Sequence, residues 1–254
     1  MHGQRIPLSR ARRLVIDFLH FAIGIPTVPV QRRVHLQPVI DARAALVDRP
    51  CWTAIFVKAF ALVSEEVREL RRAFVKLPWR HLHEYPKPIA SIVVERDYQD
   101  EKAIFVARVK DPGALTLMEL TDRIRSFAES PVEEVKDFQR ALRTCRYPQP
   151  LRRLLWWLAL NHPSQRIRYF GTFAVSVYSA LGAESLHPLS PLTSILNYGV
   201  FSEDGQVDVR VCYDHRVMDG AVIARALCRL EEVLVGPIVD ELRELAEVKT
   251  SKAA

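Results

Sequence analysis

The sequence predicts a single α/β domain, and two patterns predict it. Segments with helical spacing of apolar residues alternate along the chain with short β-branched runs that switch between apolar and polar. The 254 residues are 49% hydrophobic and 26% charged, and no repeat, low-complexity stretch or clear linker divides them. Pro86-Lys87-Pro88 and Tyr147-Pro148-Gln149-Pro150 read as loops within one unit, so residues 1–254 are taken as one domain.

The elements follow in chain order. Ser9 to Ile23 reads as a helix, with Leu14, Val15, Phe18, Leu19 and Ala22 on one face and arginines on the other. Gly24 and Pro26 stop it. Val28 to Leu36 alternates like a strand, and Pro38 to Leu46 starts another helix. Thr53 to Phe74 is expected as one long helix. Its first half is apolar nearly all round and therefore buried, and its second half is charged. Ile89 to Arg96 and Ile104 to Val109 read as strands around a polar turn, Asp97 to Lys102. Thr116 and Glu119 form a capping-box pattern that opens a helix ending near Ala128. Pro131 to Arg143 and Leu151 to Leu160 are expected helices, Phe170 to Val177 an expected strand. Val207, Val209, Val211 and Tyr213 mark a further strand. The C-terminal helices are placed over Ala221 to Leu234 and Pro237 to Leu245, with a frayed tail from Lys249 to Ala254.

Net charge is +6, carried largely by arginine clusters such as Arg10-Ala11-Arg12-Arg13, Arg71-Arg72 and Arg152-Arg153. This balance suits an anionic partner and does not choose one; a solvated basic surface is the plainer reading of any single cluster. No nucleic-acid motif is legible, so nucleic acid is not an expected partner. Cys51, Cys145, Cys212 and Cys228 form no Cys-x-x-Cys pair and no zinc-ligand spacing, so no metal is expected. They read as buried or free thiols of a cytoplasmic protein. No secretory signal is legible, and the longest apolar helical run, Leu154 to Leu160, is far short of the roughly 20 residues that span a bilayer. Its Leu-Leu-Trp-Trp-Leu sequence between arginines fits either packing inside an assembly, the favoured reading, or contact with a membrane surface or greasy ligand.

The most informative segment is Asp214-His215-Arg216-Val217-Met218-Asp219-Gly220. It places an imidazole four residues before a carboxylate, ends on a glycine suited to a tight backbone, and lies between a strand and an amphipathic helix. The string resembles the active-site signature of the chloramphenicol acetyltransferase and dihydrolipoyl acyltransferase superfamily. The resemblance implies that His215 is the general base of acyl transfer from coenzyme A to a thiol or hydroxyl. Histidine suits that task because its ordinary pKa lies near neutrality. Asp219 would brace the loop through a salt bridge.

Other segments agree. Ile6-Pro7-Leu8-Ser9, the stretch from Val34 to Arg43, and Ala54 to Ala61 resemble successive parts of the catalytic domain of the 2-oxo acid dehydrogenase acyltransferases. Gly171-Thr172-Phe173-Ala174-Val175-Ser176-Val177 resembles that family's Gly-Thr-Phe-Thr-Ile-Ser-Asn strand, whose serine hydroxyl hydrogen-bonds the oxyanion of the tetrahedral intermediate. The resemblance assigns that role to Ser176. It also implies a two-layer α+β sandwich with a mixed sheet flanked by helices, and a homotrimer or multiple of trimers. The active site would lie at the trimer interface, with serine and histidine from different subunits. Coenzyme A or an acyl-coenzyme A would be substrate, with no covalently bound lipoyl group on this chain. The acceptor would then be a lipoyl or other carrier domain in trans, or a small molecule. Four departures stand out. Val177 replaces the asparagine after the serine, the loop from Tyr178 to Pro191 lacks the family's glycine-rich stretch, the span from Ser176 to His215 is short, and Leu151 to Arg168 has no recognised counterpart. A non-catalytic trimeric or cage-forming scaffold is the competing reading.

Overall fold

A computed structural model describes residues 3–253. Its centre is a six-stranded mixed sheet. The strands are β1 (Thr27–His35), β4 (Ile89–Tyr98), β5 (Glu101–Lys110), β6 (Phe173–Val175), β7 (Ser194–Tyr198) and β8 (Gln206–Asp214). Their order across the sheet is β1-β8-β7-β6-β4-β5, with β6 parallel to both β4 and β7 and the other pairs antiparallel. A separate hairpin pairs β2 (Arg72–Val75) with β3 (His81–Glu84).

The helices follow the chain as α1 (Arg10–Ala22), α2 (Gln37–Ala44), α3 (Trp52–Glu66), α4 (Leu117–Glu129), α5 (Lys136–Thr144), α6 (Gln149–Asn161), α7 (Pro163–Tyr169), α8 (Gly220–Val233) and α9 (Val239–Ala253). The main core lies between one face of the sheet and α3, α4, α8 and α9. Helix α3 is the central member. Ala54, Ile55, Phe56, Val57, Ala59, Phe60, Ala61 and Val63 are all fully buried. Phe56 stacks on Tyr198 of β7, and Phe60 meets Phe173 of β6 edge-on. Each such large side chain contributes about 1.5–3 kcal/mol of hydrophobic stabilisation. Beyond this core, α1 and α5 pack on Ala103, Phe105 and Ala107 of β5. The opposite face of the sheet carries a smaller cluster of Ala174, Leu192, Ile195 and Cys212. The expected two-layer arrangement is therefore present.

Several expected boundaries move. The long helix from Thr53 stops at Glu66, because Val67 is extended and the buried residues then alternate as Ala73 and Val75 in β2. Arg71 turns inward and donates to the carbonyls of Ser64 and Tyr85, satisfying the end of α3. The turn at Asp97 to Lys102 shrinks to Gln99 and Asp100. Both have positive φ, as a two-residue hairpin turn of the first primed type requires. The helix placed at Pro131 begins only at Lys136, after a turn closed by the Glu134 amide on the Pro131 carbonyl.

The strand at Phe170 to Val177 keeps only Phe173–Val175. Gly171 breaks it with a φ of 79°, and a Cβ there would sit 2.7 Å from the Ile89 carbonyl oxygen. The tail expected to fray continues as helix to Ala253, with Ala254 outside the described residues. A single π-type turn, Leu234–Ile238, absorbs Pro237 between α8 and α9. The capping box at Thr116 is as expected, with both reciprocal bonds to Glu119 formed.

Not every arginine cluster is a solvated surface. Arg152 is buried against Asp17 of α1, which is itself fully buried and also approached by Arg153. Trp156 of α6 packs among Phe18, Phe21 and Phe170, whereas Leu151, Leu154, Leu155 and Leu158 face outward along the same helix. Among the described residues no helix is long and apolar enough to cross a membrane.

The thiols sort by burial. Cys145 and Cys212 are buried, and desolvation pushes both thiol pKa values up to about 11. Cys212 points into the small cluster behind the sheet. Cys228 is exposed. At about pH 8, iodoacetamide is expected to label Cys228 in the native protein and to reach Cys145 and Cys212 only after denaturation. Fast native labelling of Cys212, read by peptide mass spectrometry, would contradict its placement in the sheet.

Candidate active site

His215 lies one residue beyond β8, in a turn whose backbone is held by hydrogen bonds from 214 to 217. The Asp214 amide donates to the Thr193 carbonyl, the His215 amide to the Pro26 carbonyl and the Val217 amide to the Asp214 carbonyl, at 2.9–3.0 Å. The Arg216 amide donates to Asp214 Oδ1 at 3.0 Å. Every backbone N–H from 214 to 217 thus has an acceptor. Asp214 is buried, and its carboxylate takes two further bonds from the Arg216 guanidinium, at 2.8 Å from Nε and 2.7 Å from Nη2. Bidentate, charge-assisted bonds of this kind fix geometry as well as energy. The Arg216 guanidinium lies 4.8 Å from the ring centre of Phe74 on β2. Thr193 Oγ1 donates to the Arg72 carbonyl at 2.6 Å, so the β2–β3 hairpin is strapped to the floor of the same turn.

Asp219 holds its partner more loosely. Its Oδ1 is 3.4 Å from His215 Nδ1, and its side chain is 83% exposed. That separation exceeds a good hydrogen bond, and an exposed pair contributes about 0–1 kcal/mol. The residue stands at the N-cap of α8 but makes no side-chain capping bond; its carboxylate is turned toward the imidazole. Within one chain the rigid brace of the loop is therefore Asp214 with Arg216, and Asp219 adds a weak contact from the rim. Gly220 is the first residue of α8 and has no left-handed φ. A side chain there would meet the Tyr213 hydroxyl at 3.2 Å, so close approach is what favours glycine.

The imidazole itself is half exposed in one chain, 5.7 Å from the Tyr213 ring between centroids. A hollow lined by Tyr98, Gln99, Val132 and Glu133 and another by Ile6, Leu8 and Arg13 contain none of these residues.

Ser176 follows β6 immediately. It is 5% exposed, its amide donates to the Leu196 carbonyl at 3.2 Å, and its carbonyl accepts from Asn197 Nδ2 at 2.6 Å. Strand register locates it relative to His215. Val175 pairs with Leu196, which pairs with Val211, so Ser176 lies level with Arg210 of β8. His215 is five residues further along, past the C-terminal end of β8. At roughly 3.3 Å per residue and two strand spacings, the two backbones are on the order of 15–20 Å apart. One chain does not bring them together. Among the described residues no group of three or more His, Cys, Asp or Glu is placed to hold a metal ion.

Sequence reasoning left the roles of Asp214, Arg216, Thr193, Phe74 and Asn197 unassigned. The first two lie inside the motif, and their pairing follows from nearness in sequence. The other three act across strands, where only register reveals them.

No protein-family model matches the chain, and no curated protein sequence matches it. Solved structures do. The cubic core of a pyruvate dehydrogenase multienzyme complex aligns with a TM-score of 0.70 at 17% identity, over 95% of this chain and 94% of that one. Dihydrolipoamide acetyltransferase of Azotobacter vinelandii gives 0.70 at 18% identity over the same shares, and a chloramphenicol acetyltransferase 0.53 at 13% over 91% and 99%. The chain therefore has the fold of the chloramphenicol acetyltransferase class. Its structural neighbours are the catalytic acyltransferase cores of 2-oxo acid dehydrogenase complexes.

Proposed function

We propose that residues 1–254 form one acyltransferase unit, which moves an acyl group between coenzyme A, or another acyl thioester, and a thiol or hydroxyl acceptor. The observation that carries this reading is the His215 turn. A half-exposed imidazole is presented by a backbone whose N–H groups from 214 to 217 are all satisfied, in the fold of known acyltransferase cores. The structure of the Azotobacter vinelandii enzyme was determined to examine a serine, a histidine and an asparagine in its catalytic mechanism. The last two are four residues apart there, as His215 and Asp219 are here.

In the proposed reaction His215 takes the proton of the acceptor thiol or hydroxyl. The acceptor sulfur or oxygen attacks the thioester carbonyl carbon. The Ser176 hydroxyl donates to the resulting oxyanion, where one aimed donor contributes about 3–4 kcal/mol to lowering the barrier. Collapse expels the coenzyme A thiolate, which takes back the proton from the imidazolium. The register separation of Ser176 and His215 supports a site between two chains, so a homotrimer or multiple of trimers is part of the proposal. The outward leucine stripe of α6 is further apolar surface that an assembly or a larger acyl group would cover. A lipoyl or other carrier domain on another chain, or a small molecule, would serve as acceptor, with the cytoplasm as the compartment.

The test is thiol release from acyl-coenzyme A donors of graded length, each with dihydrolipoamide and with simple alcohols or amines. Acceptor-dependent release is expected with at least one pair. The scaffold reading is motivated by the altered loop after Ser176, whose Glu184 lies 3.8 Å from Arg210 of β8. Large assemblies with no release and no coenzyme A binding would establish that reading instead.

A further inference from the structure

We propose that Asn197 is a positioning residue for Ser176, anchoring its carbonyl from β7. The inference rests on the reading of Ser176 as the oxyanion donor. Ser176 lies one residue beyond the β6 ladder, its amide still bonded to Leu196; beyond Val177 the chain turns away at Tyr178, with φ −122° and ψ 6°. A hydroxyl at such a point shares the freedom of the loop unless the backbone is fixed on both sides. Leu196 fixes the amide side. Asn197 fixes the carbonyl side, with Nδ2 donating to Ser176 O at 2.6 Å. Both anchors come from consecutive residues of one strand.

Packing does not account for this asparagine. It is 1% exposed, and its Oδ1 is buried with no hydrogen-bond partner among the described residues. The donor beside it in register, Arg210, is committed to Gln31 Oε1 and the Ser185 carbonyl. An apolar side chain of the same branched shape would leave no acceptor unpaired, so an amide placed here at that cost points to the one bond it does make. Asn197 lies on the neighbouring strand, where no linear motif reports it.

The experiment is a double-mutant cycle on acyl transfer, with Ser176→Ala and Asn197→Leu alone and together, reading kcat and KM separately and thermal unfolding for each. Asn197→Ala runs in parallel in case leucine overpacks the strand. Ser176→Ala alone tests the serine reading; an unchanged kcat would remove that reading and this proposal with it. If it lowers kcat, the Asn197 variants are expected to lower kcat about ten- to a hundredfold with KM for the donor unchanged, and to add nothing in the Ser176→Ala background. Folded Asn197 variants with full kcat would overturn the positioning role and leave the serine reading standing. An equal loss with and without the serine would overturn it too, because the asparagine would then act on the fold rather than through Ser176.

Discussion

His215→Ala is expected to lower acyl-transfer kcat by about 10²–10⁴-fold, the range a positioned general base contributes. The fold should survive, because the turn is held by backbone bonds to Thr193, Pro26 and Asp214 and by the Asp214–Arg216 pair, none of which uses the imidazole. The loss should therefore appear in turnover, with thermal unfolding close to that of the unsubstituted protein. Full activity in the alanine variant would remove the histidine from the mechanism. A collapse of stability would mean that the ring does structural work that its half-exposed position gives no reason to expect.

The elements legible in the sequence are those with one clean face. The amphipathic α1, the capping box of α4 and the alternating strands β1, β4, β5 and β8 carry a period that a single sequence displays. Strand β7 is buried on both faces over all five residues and so shows no alternation. The β2–β3 hairpin is dense in arginine and histidine, and its first strand continues the charged end of α3 without a break in composition. The site divides in the same way. His215 and Asp219 are contiguous with a recognisable string, and Ser176 sits in a second one. Phe74 under Arg216, Thr193 behind Asp214 and Asn197 beside Ser176 depend on which strands become neighbours, and a linear pattern does not record that.

The separation of Ser176 from His215 is the feature on which the proposed mechanism turns. Two strand spacings and five residues of register keep them apart within one chain. The half-buried state of the imidazole points the same way, since a base working on a thioester gains from cover that one copy does not supply. If each site takes its histidine from one chain and its serine from the next, two defective proteins can repair each other. Neither Ser176→Ala nor His215→Ala alone contains an intact pair, but a mixed ring contains one wherever a Ser176→Ala chain presents its histidine to the serine of a His215→Ala chain.

The most direct measurement is activity after co-expression of these two variants, purified as mixed assemblies. Random mixing of equal amounts in a closed heterologous ring predicts about a quarter of the unsubstituted turnover, because one interface in four is intact. Mixed assemblies no more active than the two variants assayed separately would contradict a site shared between chains.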